Sequence, residues 1–346
     1  MLLVAMGVAI GELLPKEEIS LDFLNSRKLG IDAHNILYQF LSSIRSHDGT
    51  PLMDSEGNVT SHLTGLLYRT INLLEREIKP VFVFDGTPHT LKGETLRKRT
   101  EIRTSAQEKH EKALKEGDLE EARKQGQRAL RLTKGMVEDA KKLITAMGLP
   151  MVQAPSEGEA QVAQMVAKGD LFGCVSQDFD ALLFGTDRLF RNIAVTGKRK
   201  LPGKNIYAEV KPEMIKLDTT LKRLSLTREK LIWLCILVGT DFNEKFPKIG
   251  PKTALKLVQE HSTFDGIIRA TNHSPDFDYR EIVDIFMKPD FEKDYRIEFS
   301  QPNREEVIEF LCGKHDFSKD RVNSALDKLE SKASEKGEQS RLGQWS

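Results

Sequence analysis

The sequence predicts an α/β fold built on a mostly parallel sheet with helices packed around it. Three observations point there. Residues 28–31 (KLGI) form a short apolar run that ends at Asp32 and leads into residues with helical spacing. Residues 80–84 (PVFVF) are apolar throughout, as in a strand buried on both faces of a parallel sheet, and Asp85 closes that run too. Strand, helix, strand is a βαβ pattern. In open α/β sheets ligands gather at the carboxyl ends of the strands, where Asp32 and Asp85 belong.

The remaining elements follow in order. Ile36, Leu37, Phe40, Leu41 and Ile44 share one helix face. A turn-rich loop (HDGTPLMDSEGN) precedes a second helix with Leu63, Leu66, Leu67, Ile71 and Leu74 inward, ended by Pro80. Residues 91–134 are charge-dense helices with little core to bury. A solvated hairpin is the plain reading of them. Yet cations cluster at the start (Lys92, Arg97, Lys98, Arg99, Arg103) and at the end (Arg123, Lys124, Arg128, Arg131, Lys134), as in a positive arch over a phosphate-bearing ligand. Met136, Val137, Ala140, Leu143, Ile144 and Met147 form an apolar helix stripe stopped by Gly148 and Pro150. A short strand follows, then a helix opening on Glu157 and Glu159. Taken alone, Ser156 with Glu159 reads as a capping box. Residues 173–185 (GCVSQDFDALLFG) set Asp178 and Asp180 between apolar runs, which is costly unless something compensates the charges. Residues 188–204 carry six basic residues and no acid, and read as a hairpin with a basic tip. A buried helix then delivers Asp241. A Gly-Pro turn at Gly250 opens a helix with Lys248, Lys252 and Lys256 accessible, a place where backbone N–H groups bind phosphate. Beyond Thr263 the chain is helical. From about Ser331 it is polar and expected to be disordered. Leu342 and Trp345 are apolar anchors in that tail, as in a peptide that docks on a partner.

Composition bounds the function. The 346 residues suggest roughly two domains' worth of chain at about 150 residues each. Net charge is +0, so only the distribution of charge can point to nucleic acid. Three scattered cysteines among apolar residues read as reduced buried thiols rather than disulfides or a zinc site. No apolar run approaches the ~20 residues of a membrane span. The start lacks the basic region of a secretory signal, so a cytoplasmic location is expected.

Seven acids stand at strand ends or helix starts: Asp32, Asp85, Glu157, Glu159, Asp178, Asp180 and Asp241. No histidine or cysteine joins them at ligand spacing, which argues against zinc and for Mg²⁺ or Mn²⁺. So many carboxylates suggest two ions about 4 Å apart, the arrangement for phosphodiester chemistry. The residues themselves therefore describe a metal-dependent hydrolase of a phosphate ester, with nucleic acid favoured by the arch, hairpin and Gly-Pro turn.

The motifs MGVAIGELLP, IDAHNILYQFL, TSHLTGLLYRT, PVFVFDGTPHTLKGETLRKR, APSEGEAQ, SQDFDALLFG, LVGTDFN, IGPKTALKLV and FLCGKHDFSKDRV occur in this order along nearly the whole chain. In this the sequence resembles the flap endonucleases of the XPG-type structure-specific 5′ nuclease family, nearest the archaeal form. The resemblance implies a PIN-like nuclease core with a helical arch and a helix–two-turn–helix segment. It implies 5′-flap cleavage at single-strand/double-strand junctions in Okazaki-fragment maturation and base-excision repair, with possible 5′→3′ exonuclease activity. It places two Mg²⁺ ions, with Mn²⁺ as substitute, on the seven acids. It also places scissile-phosphate contacts on Lys92 and Arg99, a base-stacking ring on Tyr38, and duplex contacts on Arg69, Lys248, Gly250, Lys252 and Lys256. A sliding-clamp (PCNA) box falls on Gln339, Leu342 and Trp345. The implied organisation is one nuclease domain over residues 1–330 (N-terminal part 6–105, arch about 88–135, internal part 130–265, C-terminal helices 266–330), a flexible tail over 331–346, and a monomer. The family's start matches Met6-Gly7, leaving residues 1–5 as an extension. Lys248 stands where glycine is usual, which bears on a potassium site in that turn. Ser346 stands where a second aromatic is usual, so weaker clamp binding is expected. Rival readings are a 5′ exonuclease or bubble-cutting relative, which differs in its arch and carries longer insertions, and an inert clamp-recruited scaffold, which would tolerate loss of acids.

Overall fold

The computed structural model describes residues 8–46, 50–194, 197–200 and 207–342. The edge strand β1 (Glu17–Glu18) precedes β2 (Lys28–Asp32), which runs straight into α1 (Ala33–Ser43). α2 (Ser61–Glu75) returns the chain to β3 (Lys79–Phe84). The charge-dense region forms α3 (Gly93–Glu116) and α4 (Leu119–Arg128), turned at Gly117 with φ 74° and capped by the Asp118 carboxylate, which accepts from Glu121 N. α5 (Lys134–Ala146), β4 (Met151–Gln153), α6 (Gly158–Ala167), β5 (Gly173–Val175) and the one-turn α7 (Asp180–Leu183) complete the first half. β6 (Arg188–Arg191), the ribbon β7 (Gly197–Lys200) and β8 (Tyr207–Val210), β9 (Glu213–Lys216), α8 (Leu217–Leu224) and α9 (Arg228–Val238) follow. The chain ends in α10 (Pro251–Glu260), α11 (Phe264–Thr271), α12 (Tyr279–Met287), α13 (Arg304–Ile308) and α14 (Lys319–Leu342).

Seven strands form one sheet in the order β1-β9-β6-β5-β2-β3-β4. β4, β3, β2, β5 and β6 are mutually parallel, while β9 and β1 join antiparallel at one edge. Alternation along β3 explains its unbroken apolar run. Val81 and Val83 enter one core with α6, α7 and α9, and Phe82 and Phe84 enter the other with α1, α2 and α5. From β2 the chain builds outward through β3 and β4, then returns to place β5 on the other side of β2. The gap beyond the carboxyl ends of β2 and β5 is thus a topological switch point, where such sheets bind ligands.

Three expectations are corrected. Residues 188–191 do not begin a hairpin. Leu189 and Phe190 are fully buried, so they pair with β5 and β9, and the ribbon starts later at β7. The turn of that ribbon, the expected basic tip, lies outside the described residues. The polar tail expected to be disordered is helical, because α14 continues through it to Leu342. Its Ala, Glu, Lys and Arg content, without proline, favours helix even where there is little apolar surface to bury. Finally, Ser156 does not cap α6. Glu157 is the N-cap residue and its side chain makes no capping bond. The Gly158 N–H donates instead to Asp85 Oδ1 at 2.7 Å.

Candidate metal centre and arch

Each acid is delivered by a defined piece of backbone. Asp32 ends β2 and caps α1, its Oδ1 accepting from Asn35 N at 3.0 Å and its Oδ2 from the Ser176 hydroxyl at 3.2 Å. Asp85 follows β3, and His34 Nδ1 lies 3.3 Å from its Oδ2. Its approach to α6 needs glycine at 158, since a Cβ there would stand 2.8 Å from Asp85 Oδ1. Asp178 follows β5 and accepts from Asn35 Nδ2 at 2.8 Å. Asp180 opens α7 and accepts from Val8 N at 3.0 Å. Asp241 leaves α9 through Gly239, whose φ of 94° and close approach to Lys245 exclude a side chain.

The charges face one another. Asp32 and Asp180 are each 7% exposed. Burial, then Asp85, pushes the Asp32 carboxyl up from 3.8 to about 7. Burial, then Asp241, does the same for Asp180, to about 7. Asp178 is held well above the carboxylate range by burial and by Asp180, Asp32 and Asp241. Glu159 is held there by burial and by Asp32, Asp180 and Asp178. Burial raises Glu157 against the pull of Lys92. Each of these acids thus feels the charge of at least two others in the set.

The donor set fits a divalent cation. It is all oxygen, it is short of positive charge, and Glu159 Oε1 is buried with no hydrogen-bond partner. Among the described residues no three ligating side chains yet enclose a single point. Arch cations stand among the acids instead. Lys92 Nζ lies 2.5 Å from Glu157 Oε2 and 3.7 Å from Asp241 Oδ2. Arg99 Nη2 lies 2.5 Å from Asp241 Oδ1. Burial alone would pull the Lys92 ammonium down, but Glu157 and Asp241 outweigh it and hold it above the ordinary lysine range. Phe242 supports it from below, ring centroid 5.2 Å from Nζ. Further along α3, Lys98 pairs with Glu244, and the Arg103 guanidinium lies 5.9 Å from the Tyr38 ring centroid. Tyr38 therefore stands under the arch.

Other expected site residues lie elsewhere. Arg69 donates to the Ala194 carbonyl at 2.6 Å and packs over Phe40, so its guanidinium already serves the fold. Lys248, Lys252 and Lys256 are exposed around the start of α10, with Gly250 as its N-cap and Pro251 at its first position. Lys248 takes φ 61°, the left-handed conformation that glycine adopts more cheaply. Gln339 and Leu342 fall on the last turns of α14, and Trp345 lies outside the described residues, as does Met6-Gly7. Sequence reasoning missed His34, Asn35 and Ser176, which contact the acids. A signal was present: Asn35 follows Asp32 by three positions, in the first turn of the helix that Asp32 caps.

A parallel sheet with a carboxylate cluster at its switch point and a cationic helical arch above defines the XPG class of nucleases, and sequence comparison agrees. The XPG N-terminal domain matches residues 9–106 and the XPG I-region matches residues 148–241. The chain is 54% identical to flap endonuclease 1 of Pyrococcus abyssi, over 98% of each chain. It is 54% identical to that of Pyrococcus furiosus, over 98% of this chain and 99% of the relative. The solved structure of flap endonuclease-1 from Methanococcus jannaschii superposes with a TM-score of 0.76 at 40% identity, covering 95% of this chain and all of that one. The chain belongs to the flap endonuclease 1 family.

Proposed function

We propose that the protein is a structure-specific 5′-flap endonuclease that hydrolyses DNA phosphodiesters near the junction of single and double strands. The observation that carries this reading is the pairing of Lys92 and Arg99, from the base of the arch, with Glu157 and Asp241 of the acid cluster. Groups that reach the acids also reach a phosphate placed between them. Asp32, Asp85, Glu157, Glu159, Asp178, Asp180 and Asp241 would hold two Mg²⁺ ions, for which Mn²⁺ would substitute. When bound, the ions supply Lewis acidity and lower the pKa of water.

The chain's own residues do the rest. The acids fix the position of the charge they hold. Lys92 and Arg99 leave their carboxylate partners for the phosphate oxygens and stabilise charge that grows in the transition state. Tyr38 stacks on a base beside the scissile bond. The segment Lys248, Gly250, Lys252 and Lys256 contacts the duplex backbone, and a potassium ion would sit in that turn. Residues 1–330 act as one nuclease domain and as a monomer, in the cytoplasm. Gln339, Leu342 and Trp345 dock on a sliding clamp during replication and repair.

The test is cleavage of labelled single-stranded, duplex, bubble and double-flap DNA side by side in Mg²⁺. Preference for the flap, lost in EDTA, is expected. Equal cutting of all four, or cutting that survives EDTA, would overturn the assignment.

A further inference from the structure

We propose that Asn35 is a positioning residue that fixes Asp178 against Asp32 and so sets the affinity of the acid cluster for divalent cations. The inference rests on the reading of those acids as metal-holding. Asn35 sits in the first turn of α1, 8% exposed, between the ends of β2 and β5. Its orientation is not free. The Gln177 backbone N–H, a donor with no alternative role, points at Oδ1 at 3.0 Å. The amide nitrogen must therefore face the other way, and it donates to Asp178 Oδ2 at 2.8 Å. The Asn35 backbone N–H donates to Asp32 Oδ1 at 3.0 Å. One residue thus ties the peptide leading into Asp178, the Asp178 carboxylate and the Asp32 carboxylate into one rigid unit.

Ser176 closes the unit from the other side. Its hydroxyl donates to Asp32 Oδ2 at 3.2 Å and accepts from Asp178 N at 3.2 Å. The two acids come from different strands, so nothing in either strand alone sets their separation. The side-chain amide of Asn35 leaves Asp178 Oδ1 available to an ion. A carboxylate side chain at this position could not donate to Asp178, and an alanine would leave the Gln177 N–H without its partner. Groups that orient a ligating carboxylate in this way are worth about 10- to 100-fold in metal affinity.

The experiment measures Mn²⁺ binding to the full-length protein without DNA, by calorimetry and by the electron paramagnetic resonance of free Mn²⁺. The variants are Asn35→Ala, Asn35→Ser, Asp178→Ala and the double variant Asn35→Ala/Asp178→Ala. Asn35→Ala is expected to weaken Mn²⁺ binding about tenfold or more. In cleavage it should raise the Mg²⁺ concentration for half-maximal rate while much of kcat returns at saturating Mg²⁺. Added to Asp178→Ala it should cost nothing further, because the two act through one carboxylate. Asn35→Ser, smaller but polar, serves if Asn35→Ala does not fold. Wild-type Mn²⁺ affinity in a folded Asn35 variant would overturn the proposal, as would full additivity in the double variant. If Asp178→Ala also leaves Mn²⁺ binding unchanged, the metal reading itself fails; if Asp178→Ala weakens it and Asn35→Ala does not, only the positioning role fails.

Discussion

At the scale of the residue, the acids and the arch cations have separable duties. Asp180 is buried, Asp178 is half-buried, and both lie among other acids, so neither is placed to bind a DNA backbone that carries its own negative charge. Asp178→Ala and Asp180→Ala should each lower the single-turnover cleavage rate by about 10³-fold, roughly 4 kcal/mol of lost transition-state stabilisation. Flap-DNA affinity in EDTA should stay within a factor of two or three, or rise, by about the repulsion removed. A parallel loss of affinity would mean that these side chains support the DNA surface instead. Arg99 predicts the opposite balance from Lys252. Arg99→Ala removes a donor from the reaction centre and should lower kcat by about 10²-fold with a small change in Kd. Lys252→Ala removes an exposed cation near a helix start and should weaken binding, reduce its salt dependence by about one counterion, and leave kcat alone. These opposite signatures are read from single-turnover rates and from fluorescence-anisotropy titrations over a range of salt.

At the scale of the element, the turn into α10 shows how a sequence departure is absorbed. Lys248 occupies φ 61°, a conformation that costs an ordinary residue roughly 1–2 kcal/mol. Glycine would remove that strain but adds about 0.5–1 kcal/mol of unfolded-state entropy. Lys248→Gly should therefore raise the melting temperature by about 1–3 °C while removing one duplex-facing charge. A fall in melting temperature would mean that the lysine stem packs more favourably than its exposure suggests. The elements nearest the sheet were legible in the sequence for plain physical reasons. β3 is apolar because it is buried on both faces, and α9 delivers Asp241 because its end is forced by Gly239. Two local readings failed because a tertiary partner won. Residues 188–191 were recruited by the sheet, and the Gly158 N–H found Asp85 rather than a capping side chain. The tail failed differently, since low apolar content says little about helix propensity once a helix is already nucleated.

At the scale of the molecule, the same carboxylates that enable function should oppose folding when no cation is bound. Asp32 and Asp180 shift from 3.8 to about 7, and Asp178 and Glu159 are likewise raised well above the ordinary carboxylate range. A raised acid binds more protons folded than unfolded, so its contribution is complete below about pH 4 and is lost as pH rises through the folded value. His62 has the opposite sense. Burial lowers it from 6.5 to about 4, and its contribution is lost as pH falls through that interval. Between pH 6.5 and about 7.5 the unfolded His62 holds at most half a proton, which the several raised acids outweigh, and above that it is neutral in both states and the acids alone set the slope. In EDTA the melting temperature should fall from pH 6.5 to pH 8. Mg²⁺ should reverse this, because the ions replace the departing protons and the gain they give grows with pH. Asp180→Asn should flatten the EDTA slope and reduce the Mg²⁺ gain together. Thermal melts at half-unit steps of pH, with and without Mg²⁺, check all three. A flat EDTA profile in the wild type would show that the acids are too well solvated to form the centre described, and a Mg²⁺ gain independent of pH would place the ions elsewhere on the protein.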